Sequence, residues 1–71
     1  MSLGDALRRF RKTFKLTQVQ AAKAAGVTVT MYQFYEYGKN EPTASVLCRL
    51  ADYFDVSLDY LCGRSDDPSR R

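Results

Sequence analysis

The stretch Leu16–Pro42, LTQVQAAKAAGVTVTMYQFYEYGKNEP, contains the signals for two short helices joined by a tight turn. Thr17 is a good helix N-cap, and Gln20 follows at the spacing of a capping box. The alanine-rich residues that come next favour a helix, and Gly26 predicts its end, because a C-terminal cap often requires a positive φ. Thr28 then predicts the cap of a second helix. The stretch therefore predicts a helix, a glycine turn and another helix in succession.

The order and spacing of residues along the chain resemble the lambda-repressor-like, Cro/cI-type helix-turn-helix family, also called the XRE family. The matching residues of the helix pair are Thr17, Gln18, Ala22, Gly26, Val27, Thr28, Glu36, Gly38, Lys39 and Pro42. A second matching group is Leu47-x-x-Leu50-Ala51-x-x-Phe54-x-Val56-Ser57-Leu58-Asp59-Tyr60-Leu61. The resemblance covers roughly Leu3 to Gly63. It implies a compact all-α fold of five helices, in which helix 3 enters the major groove of DNA.

Length and patterning are typical of one small domain. We assign residues 1–63 to the helix-turn-helix domain and residues 64–71 to a frayed, polar C-terminal tail. Leu3 to about Phe14 predicts the first helix, because apolar residues recur at spacings of three and four. Thr43 and Ser57 are the expected N-caps of the fourth and fifth helices. No pattern typical of a strand interrupts them, so the predicted fold class is all-α.

Composition and charge narrow the class of partner. Hydrophobic residues make up 45% of the 71 residues, and no apolar run approaches the roughly 20 residues that span a membrane. Without a signal segment at the start, a cytoplasmic protein with no membrane partner is expected. Residues 1–40 carry seven Lys and Arg against two acids, whereas residues 41–71 carry four Arg against six acids. A solvated helix face would explain a basic cluster alone, but its coincidence with the motif favours a surface that faces phosphates.

The cysteines and the lack of histidine argue against a metal site and against catalysis. Cys48 and Cys62 do not form a CxxC pair, and the chain has no histidine, whereas a structural zinc site normally takes four such ligands. Both thiols are expected to be reduced and buried or half-buried. Nor is there a glycine-rich phosphate loop or a catalytic cysteine neighbourhood. We therefore expect no metal, no cofactor and no enzyme activity.

One buried ion pair is predicted. Arg11 falls on the same helical face as Leu7 and Phe14, and Glu36 lies beside the apolar Tyr35. A buried charge requires a partner, because desolvating an isolated one costs several kcal/mol. We therefore expect Arg11 and Glu36 to meet, and the resemblance implies a bridge between helices 1 and 3 at these positions. Its expected role is to fix the angle of helix 3.

The chain departs from the family pattern in its core. Ala21 and Ala25 stand where the family generally has larger aliphatic residues, and Tyr32 and Tyr35 stand where Ile and Leu are usual. Because interiors are filled to near-crystal density, we expect the two rings to lie over the alanine face of helix 2. Their hydroxyls are expected at the rim or hydrogen-bonded. Stacking of these tyrosines on DNA is the alternative.

The resemblance implies that the outward face of helix 3 contacts bases through Val29, Thr30, Gln33 and Phe34. Gln33 can make a bidentate contact to adenine, and Thr30 can bond a base edge or a phosphate. Val29 and Phe34 can only contact thymine methyl groups or stack. This face is less polar than usual, which predicts modest sequence specificity.

Phosphate contacts are expected mainly at helix N-termini and in the loop after helix 3. Backbone amides and the helix dipole attract anions at a helix N-terminus. The candidates for phosphate contact are Gln18, Thr28, Tyr37, Lys39 and Asn40. Arg8, Arg9, Lys12 and Lys15 are expected to add longer-range attraction.

Two functions follow from these observations. The first is a sequence-specific DNA-binding transcriptional regulator, a repressor of phage or bacterial type, acting on double-stranded DNA as a homodimer with half-sites about 10 bp apart. Its candidate dimer contacts are Tyr53, Tyr60, Leu61 and Cys62. The alternative is a protein-interaction module on the same fold, antitoxin-like or anti-repressor-like, that holds DNA only weakly. It would engage a protein partner through Phe34 and Tyr37, which are predicted to form an exposed apolar spot.

Overall fold

The computed structural model describes residues 2–69 as a bundle of five helices, which confirms the predicted all-α fold. The helices are α1 (Leu3–Thr13), α2 (Gln18–Ala25), α3 (Val29–Tyr37), α4 (Ala44–Phe54) and α5 (Leu58–Leu61). α3 packs against both α1 and α2, and α4 packs against α2 and α5. Within residues 2–69 the longest helices have 11 residues, and none is long and apolar enough to cross a membrane.

Hydroxyl side chains cap the N-terminus of every helix in the described part of the chain. In each cap, the side-chain oxygen accepts a hydrogen bond from the backbone N–H three residues later; the caps are Ser2, Thr17, Thr28, Thr43 and Ser57. The predicted capping box is present, because the Gln20 side chain also accepts from the Thr17 backbone N–H at 2.8 Å. Gly26 and Gly38 end α2 and α3 with φ of 76° and 80°. Local capping chemistry therefore sets the bounds of both helices of the predicted pair.

The core is built from aromatic rings of α1 and α4 and from small residues of α2. Phe10 lies with its ring centroid 5.1 Å from that of Phe14 and 5.2 Å from that of Phe54. Tyr32 and Tyr35 are both buried, with centroids 6.4 Å apart in an edge-on arrangement. The prediction that these two tyrosines belong to the core is confirmed. The buried α2 alanines, Ala21, Ala22 and Ala25, leave room for such large neighbours.

The Tyr32 hydroxyl differs from the expectation that it would be bonded or at the rim. It is buried, and no described side chain meets it at hydrogen-bond geometry, although the Glu36 carboxylate lies close by. Burial first, and then the negative charge of Glu36, raise the pKa of Tyr32 above its ordinary value of 10.0. The phenol therefore stays neutral across the physiological range.

The segment after α5 is not the frayed tail that was predicted. Through residue 69 it folds back on the domain: the Ser57 backbone N–H donates to Pro68 O at 2.9 Å, and Arg9 donates to Asp66 Oδ1 at 2.9 Å. The Arg9 guanidinium also donates to Tyr60 O at 2.7 Å and lies 4.6 Å from the centroid of the Tyr60 ring. Arg9 is thus a packing residue rather than a free cation. The rest of the predicted tail, residues 70–71, lies outside the described residues.

The cysteines correct one further expectation. Cys62 is half-buried as predicted, but Cys48 is exposed. The buried stripe of α4 is centred on Val46, Leu50 and Ala51, and a residue at position 48 falls well away from that stripe at 100° per residue. Both thiols are free.

Candidate nucleic-acid interface

The inner face of α3 is fixed by three buried side chains, those of Tyr32, Tyr35 and Glu36. Glu36 is only 3% exposed and is the one buried charged residue in the described part of the chain. A carboxylate in such a place must be held by donors, because an isolated buried charge is too costly. The residues that donate hydrogen bonds to Glu36 therefore fix the position of α3.

Arg11 of α1 supplies the main pair of donors to Glu36. Arg11 Nε lies 2.7 Å from Glu36 Oε2, and Arg11 Nη2 lies 3.2 Å from Oε1, which is a bidentate ion pair. Burial is the largest single influence and by itself would raise the pKa of Glu36, but the hydrogen bonds from Arg11 and Gln18, together with the charge of Arg11, hold the pKa below its usual value. The same hydrogen bond raises the pKa of Arg11. Both side chains of the pair are therefore charged, and their ion pair joins α1 to α3.

A glycine of α1 brings the two helices into backbone contact. A Cβ at Gly4 would lie 2.5 Å from Glu36 O and 2.9 Å from Tyr35 O, so only a residue without a side chain fits there. Arg8 Nη2 also donates to Glu36 O at 2.8 Å. Arg8, expected to attract phosphates, is therefore engaged with α3. The sequence reasoning missed Gly4, although a glycine in the first turn of an amphipathic helix was a visible signal of close approach.

Two glutamines extend the hydrogen-bond network of the Glu36 carboxylate from the inner face of α3 to its outer flank. Gln18 Nε2 donates to Glu36 Oε1 at 3.2 Å, and Gln33 Nε2 donates to Gln18 Oε1 at 3.1 Å. The prediction placed Gln18 at a phosphate and Gln33 at a base, without a link between them. The structure joins their side chains, so the N-terminus of α2 and the flank of α3 are held as one unit.

The outward face of α3 is only partly as expected. Thr30 and Tyr37 are exposed, with Tyr37 at 62%, and Gln33 is half-buried. Val29 is half-buried because it packs against the core cluster. Phe34 is half-buried rather than exposed, since the Lys39 ammonium from the following loop lies 5.6 Å from the centroid of its ring. The predicted exposed spot of Phe34 and Tyr37 is therefore reduced to Tyr37.

The loop after α3 and the helix N-termini form the polar rim of this face. Lys39 and Asn40 are both exposed, and Asn40 Nδ2 lies 3.4 Å from Sδ of Met31, an exposed residue that the sequence reasoning did not single out. Thr28 is exposed and caps α3 through the Met31 backbone N–H at 3.1 Å. The first backbone N–H groups of a helix have no partner within that helix, so those that the capping side chain does not bind are available to an anion.

The candidate dimer contacts divide into two groups. Tyr60 and Leu61 are buried within the described domain and complete its core, so they do not form a surface. Tyr53 is 71% exposed and Cys62 is half-buried. Of the four, Tyr53 is the side chain that another molecule can reach most fully.

The capped helix pair, its glycine turn and an anchored third helix define a helix-turn-helix domain. A sequence model of the helix-turn-helix family matches residues 7–61. The chain belongs to this family, and its structural neighbours are of the lambda-repressor-like, Cro/cI type expected from the sequence.

Several known proteins are similar to this chain. The cryptic phage CTXphi transcriptional repressor RstR of Vibrio cholerae is 39% identical over 64 residues, which are 90% of this chain and 57% of that protein. The uncharacterised regulator YobD of Bacillus subtilis is 42% identical over 62 residues, or 87% of this chain and 55% of that protein. The chain thus spans about half the length of these relatives. The P22 c2 repressor, solved with a synthetic operator, superposes with a TM-score of 0.79 at 28% identity, covering 92% of this chain and 98% of that one.

Proposed function

We propose that this protein is a sequence-specific DNA-binding transcriptional regulator, a repressor of phage or bacterial type, that inserts α3 into the major groove. The observation that carries the proposal is the network from Arg11 through Glu36 and Gln18 to Gln33. It orients the recognition helix and its polar flank before any DNA is bound. Preorganisation of this kind reduces the entropy lost on binding. The structural likeness to the P22 c2 repressor, which was solved in complex with a synthetic operator, supports DNA binding by this fold.

Gln33 is the proposed adenine contact. Its hydrogen bond to Gln18 uses one of the two N–H groups of its amide, so one N–H and the carbonyl oxygen are left. These are the donor and the acceptor that adenine N7 and N6 require. Thr30, exposed one turn earlier, is proposed to contact a neighbouring base, and Val29 and Phe34 line the same face.

Phosphate contacts are proposed for the rim of this face. Lys39 and Asn40 project from the loop after α3, while Gln18 and Thr28 stand at the N-termini of α2 and α3. Tyr37 adds an exposed phenolic hydroxyl at the end of α3. These groups carry no sequence information, but each neutralised phosphate steepens the salt dependence by about 0.9 in log–log slope. The Lys39→Ala variant should therefore bind all sequences more weakly and with a shallower slope.

We also propose that the protein binds DNA as a homodimer. One recognition helix contacts only a few base pairs, so useful affinity usually requires two half-sites about one helical turn apart. Tyr53 is the dimer contact that the exposure of side chains favours. No catalytic role is proposed, since the chain lacks histidine and its relatives are transcriptional regulators.

A protein-interaction module is the second candidate, and the exposed ring of Tyr37 favours it. A large exposed aromatic side chain is typical of an interface hot spot. The two candidates differ in which substitution matters. If a protein partner is the target, Tyr37→Ala abolishes its binding and Lys39→Ala does not.

The test of the proposed function is the selection of bound duplexes from a randomised DNA library at near-physiological salt. Enrichment of a two-fold symmetric motif, with half-site centres about 10 bp apart, is the expected result. Enrichment of no sequence, with binding that remains salt-sensitive, would mean that the protein contacts phosphates alone. The proposal of sequence-specific regulation would then be wrong.

A further inference from the structure

The outer face of α3 has little chemistry with which to recognise a G·C pair. α3 contains no Lys, Arg, His or Asn, yet bidentate Arg or Lys to guanine is the commonest specific contact in the major groove. The one carboxylate of α3, that of Glu36, is 3% exposed and paired with Arg11. It is therefore not available to accept a hydrogen bond from cytosine N4. The side chains of this face are therefore better suited to A·T pairs than to G·C pairs.

Three side chains give the same face an apolar character. Thr30 and Met31 are exposed and Phe34 is half-buried. Residues three and four apart are neighbours on a helix, so Phe34 adjoins both of the others. The loop after α3 supports two of them, since Asn40 Nδ2 contacts Met31 Sδ at 3.4 Å and the Lys39 ammonium lies over the Phe34 ring. Thr30, Met31 and Phe34 together are called the apolar patch below.

Thymine is the base that offers an apolar group, its C5-methyl, to the major groove. We propose that the apolar patch recognises thymine methyl groups, and that this protein therefore selects A·T-rich half-sites whose methyl groups face α3. The inference rests on the proposed function and names the base chemistry of its partner. Gln33, on the polar flank of the same helix, supplies the adenine contact of a neighbouring pair. Specificity then depends on the burial of methyl groups and not on guanine contacts.

Replacing thymine by uracil tests this proposal, because uracil lacks only the methyl group and keeps every hydrogen-bonding atom. The probe is the duplex selected from the randomised library, with each thymine replaced singly by deoxyuridine. Affinity is measured by fluorescence anisotropy at fixed, near-physiological salt. Burial of one methyl group corresponds to about a fourfold change in affinity. We expect a loss of about that size at thymines beneath α3 and no loss at thymines outside the half-sites.

A substitution in the protein identifies the side chain that reads the methyl group. Thr30→Ser removes one methyl group and keeps the hydroxyl. In a double-mutant cycle, the penalty for uracil at the contacted position should disappear in this variant, because the methyl–methyl contact is already lost. Thr13→Ser makes the same chemical change at the exposed end of α1, and it should keep the full penalty. Thermal melts of both variants check that the fold is unchanged.

The outcomes separate this inference from the proposed function. Uracil penalties confined to the half-sites and removed by Thr30→Ser support it. A selected motif that demands G·C pairs beneath α3, or one in which uracil replaces every thymine without loss, would overturn the inference and leave the regulator intact. Penalties that persist in full in both Thr30→Ser and Met31→Ala would also overturn it, since another element would then contact the methyl groups. Enrichment of no sequence would overturn both proposals.

Discussion

The two faces of α3 are built on opposite principles. The inner face places Tyr32, Tyr35 and Glu36 in the core, and the carboxylate receives hydrogen bonds from both Arg11 and Gln18. The outer face exposes the side chains of Thr30 and Tyr37 to solvent. Substitutions on the inner face should therefore change stability, and those on the outer face should change binding. The recognition surface is therefore free to vary, because the opposite side of the same helix holds it in the core.

Of the substitutions on the inner face, removal of the Glu36 carboxylate should cause the largest loss of stability. Glu36→Ala leaves the half-buried Arg11 guanidinium without its bidentate partner, and breaking a buried pair of this kind costs about 3–5 kcal/mol. Urea unfolding followed by circular dichroism measures the loss. The control is Asp5→Ala, which removes only the exposed Arg8–Asp5 pair and should cost less than about 1 kcal/mol. A Glu36→Ala protein as stable as the control would show that the pair does not hold α3.

The same pair makes stability dependent on acid pH. The pKa of Glu36 is lowered in the folded protein, whereas the unfolded chain has the ordinary value of 4.5. Its contribution is therefore complete above about pH 4.5 and is lost as pH falls through the lower, folded pKa. When the free energy of unfolding is measured from pH 7 to pH 3, the contribution of Glu36 should decline only below about pH 4.5. Glu36→Gln, which cannot ionise, should show a smaller decline; an equal decline in both proteins would contradict the assignment.

The distance between α1 and α3 can be tested at Gly4. Gly4→Ala places a methyl group against Glu36 O and Tyr35 O, so the helices must separate at a cost of about 1–3 kcal/mol, despite the gain in helix propensity. Urea unfolding gives the loss, and amide chemical shifts of Tyr35 and Glu36 report the displacement. In Gly38→Ala the added methyl group meets open space, so its cost arises from its φ of 80°. That variant should leave the shifts of α1 unchanged, which isolates the close approach as the cause.

The buried phenol of Tyr32 should make the inner face sensitive to alkali. Its pKa is raised in the folded protein above the ordinary value of 10.0, so its contribution is present below about pH 10 and is lost as pH rises further. Tyr32→Phe should match the parent near neutral pH within about 1 kcal/mol, because the hydroxyl makes no good hydrogen bond. Above pH 10 the parent should lose up to about 1.4 kcal/mol per pH unit more than the variant. Tyr53→Phe, at an exposed position, should behave like the parent.

The sequence predicted those parts of the fold that depend on neighbours in the chain. The caps at Thr17, Thr28 and Thr43 could be predicted because the hydroxyl and the N–H it accepts from are three residues apart. The positive φ of Gly26 follows from a helix that must end there. The pairing of Arg11 with Glu36 could be predicted because a buried charge requires a partner.

What the sequence did not predict depends on distances across the fold. The contact of Gly4 with α3 and the Gln18–Gln33 link arise only when the helices are packed. The return of the tail rests on Arg9 and Asp66, which are 57 positions apart and carry no periodic signal. Phe34 lies at an outward position of its helix, yet it is half-buried, with the Lys39 ammonium from the next loop 5.6 Å from the centroid of its ring. Such contacts involve side chains whose partners are set by packing and not by local pattern.

The smallest effect on folding is expected where the two faces meet, at Gln33. Gln33→Ala removes a partly exposed hydrogen bond to Gln18 and should change stability by no more than about 0.5 kcal/mol. Affinity for the selected duplex should nevertheless fall about 5-fold to 150-fold, because a bidentate adenine contact is lost. Gln18→Ala should weaken binding through the same contact and through its own proposed phosphate contact, so the losses in the double variant should be less than additive. Anisotropy measures the cycle, and additive losses would show that the two glutamines act on DNA independently.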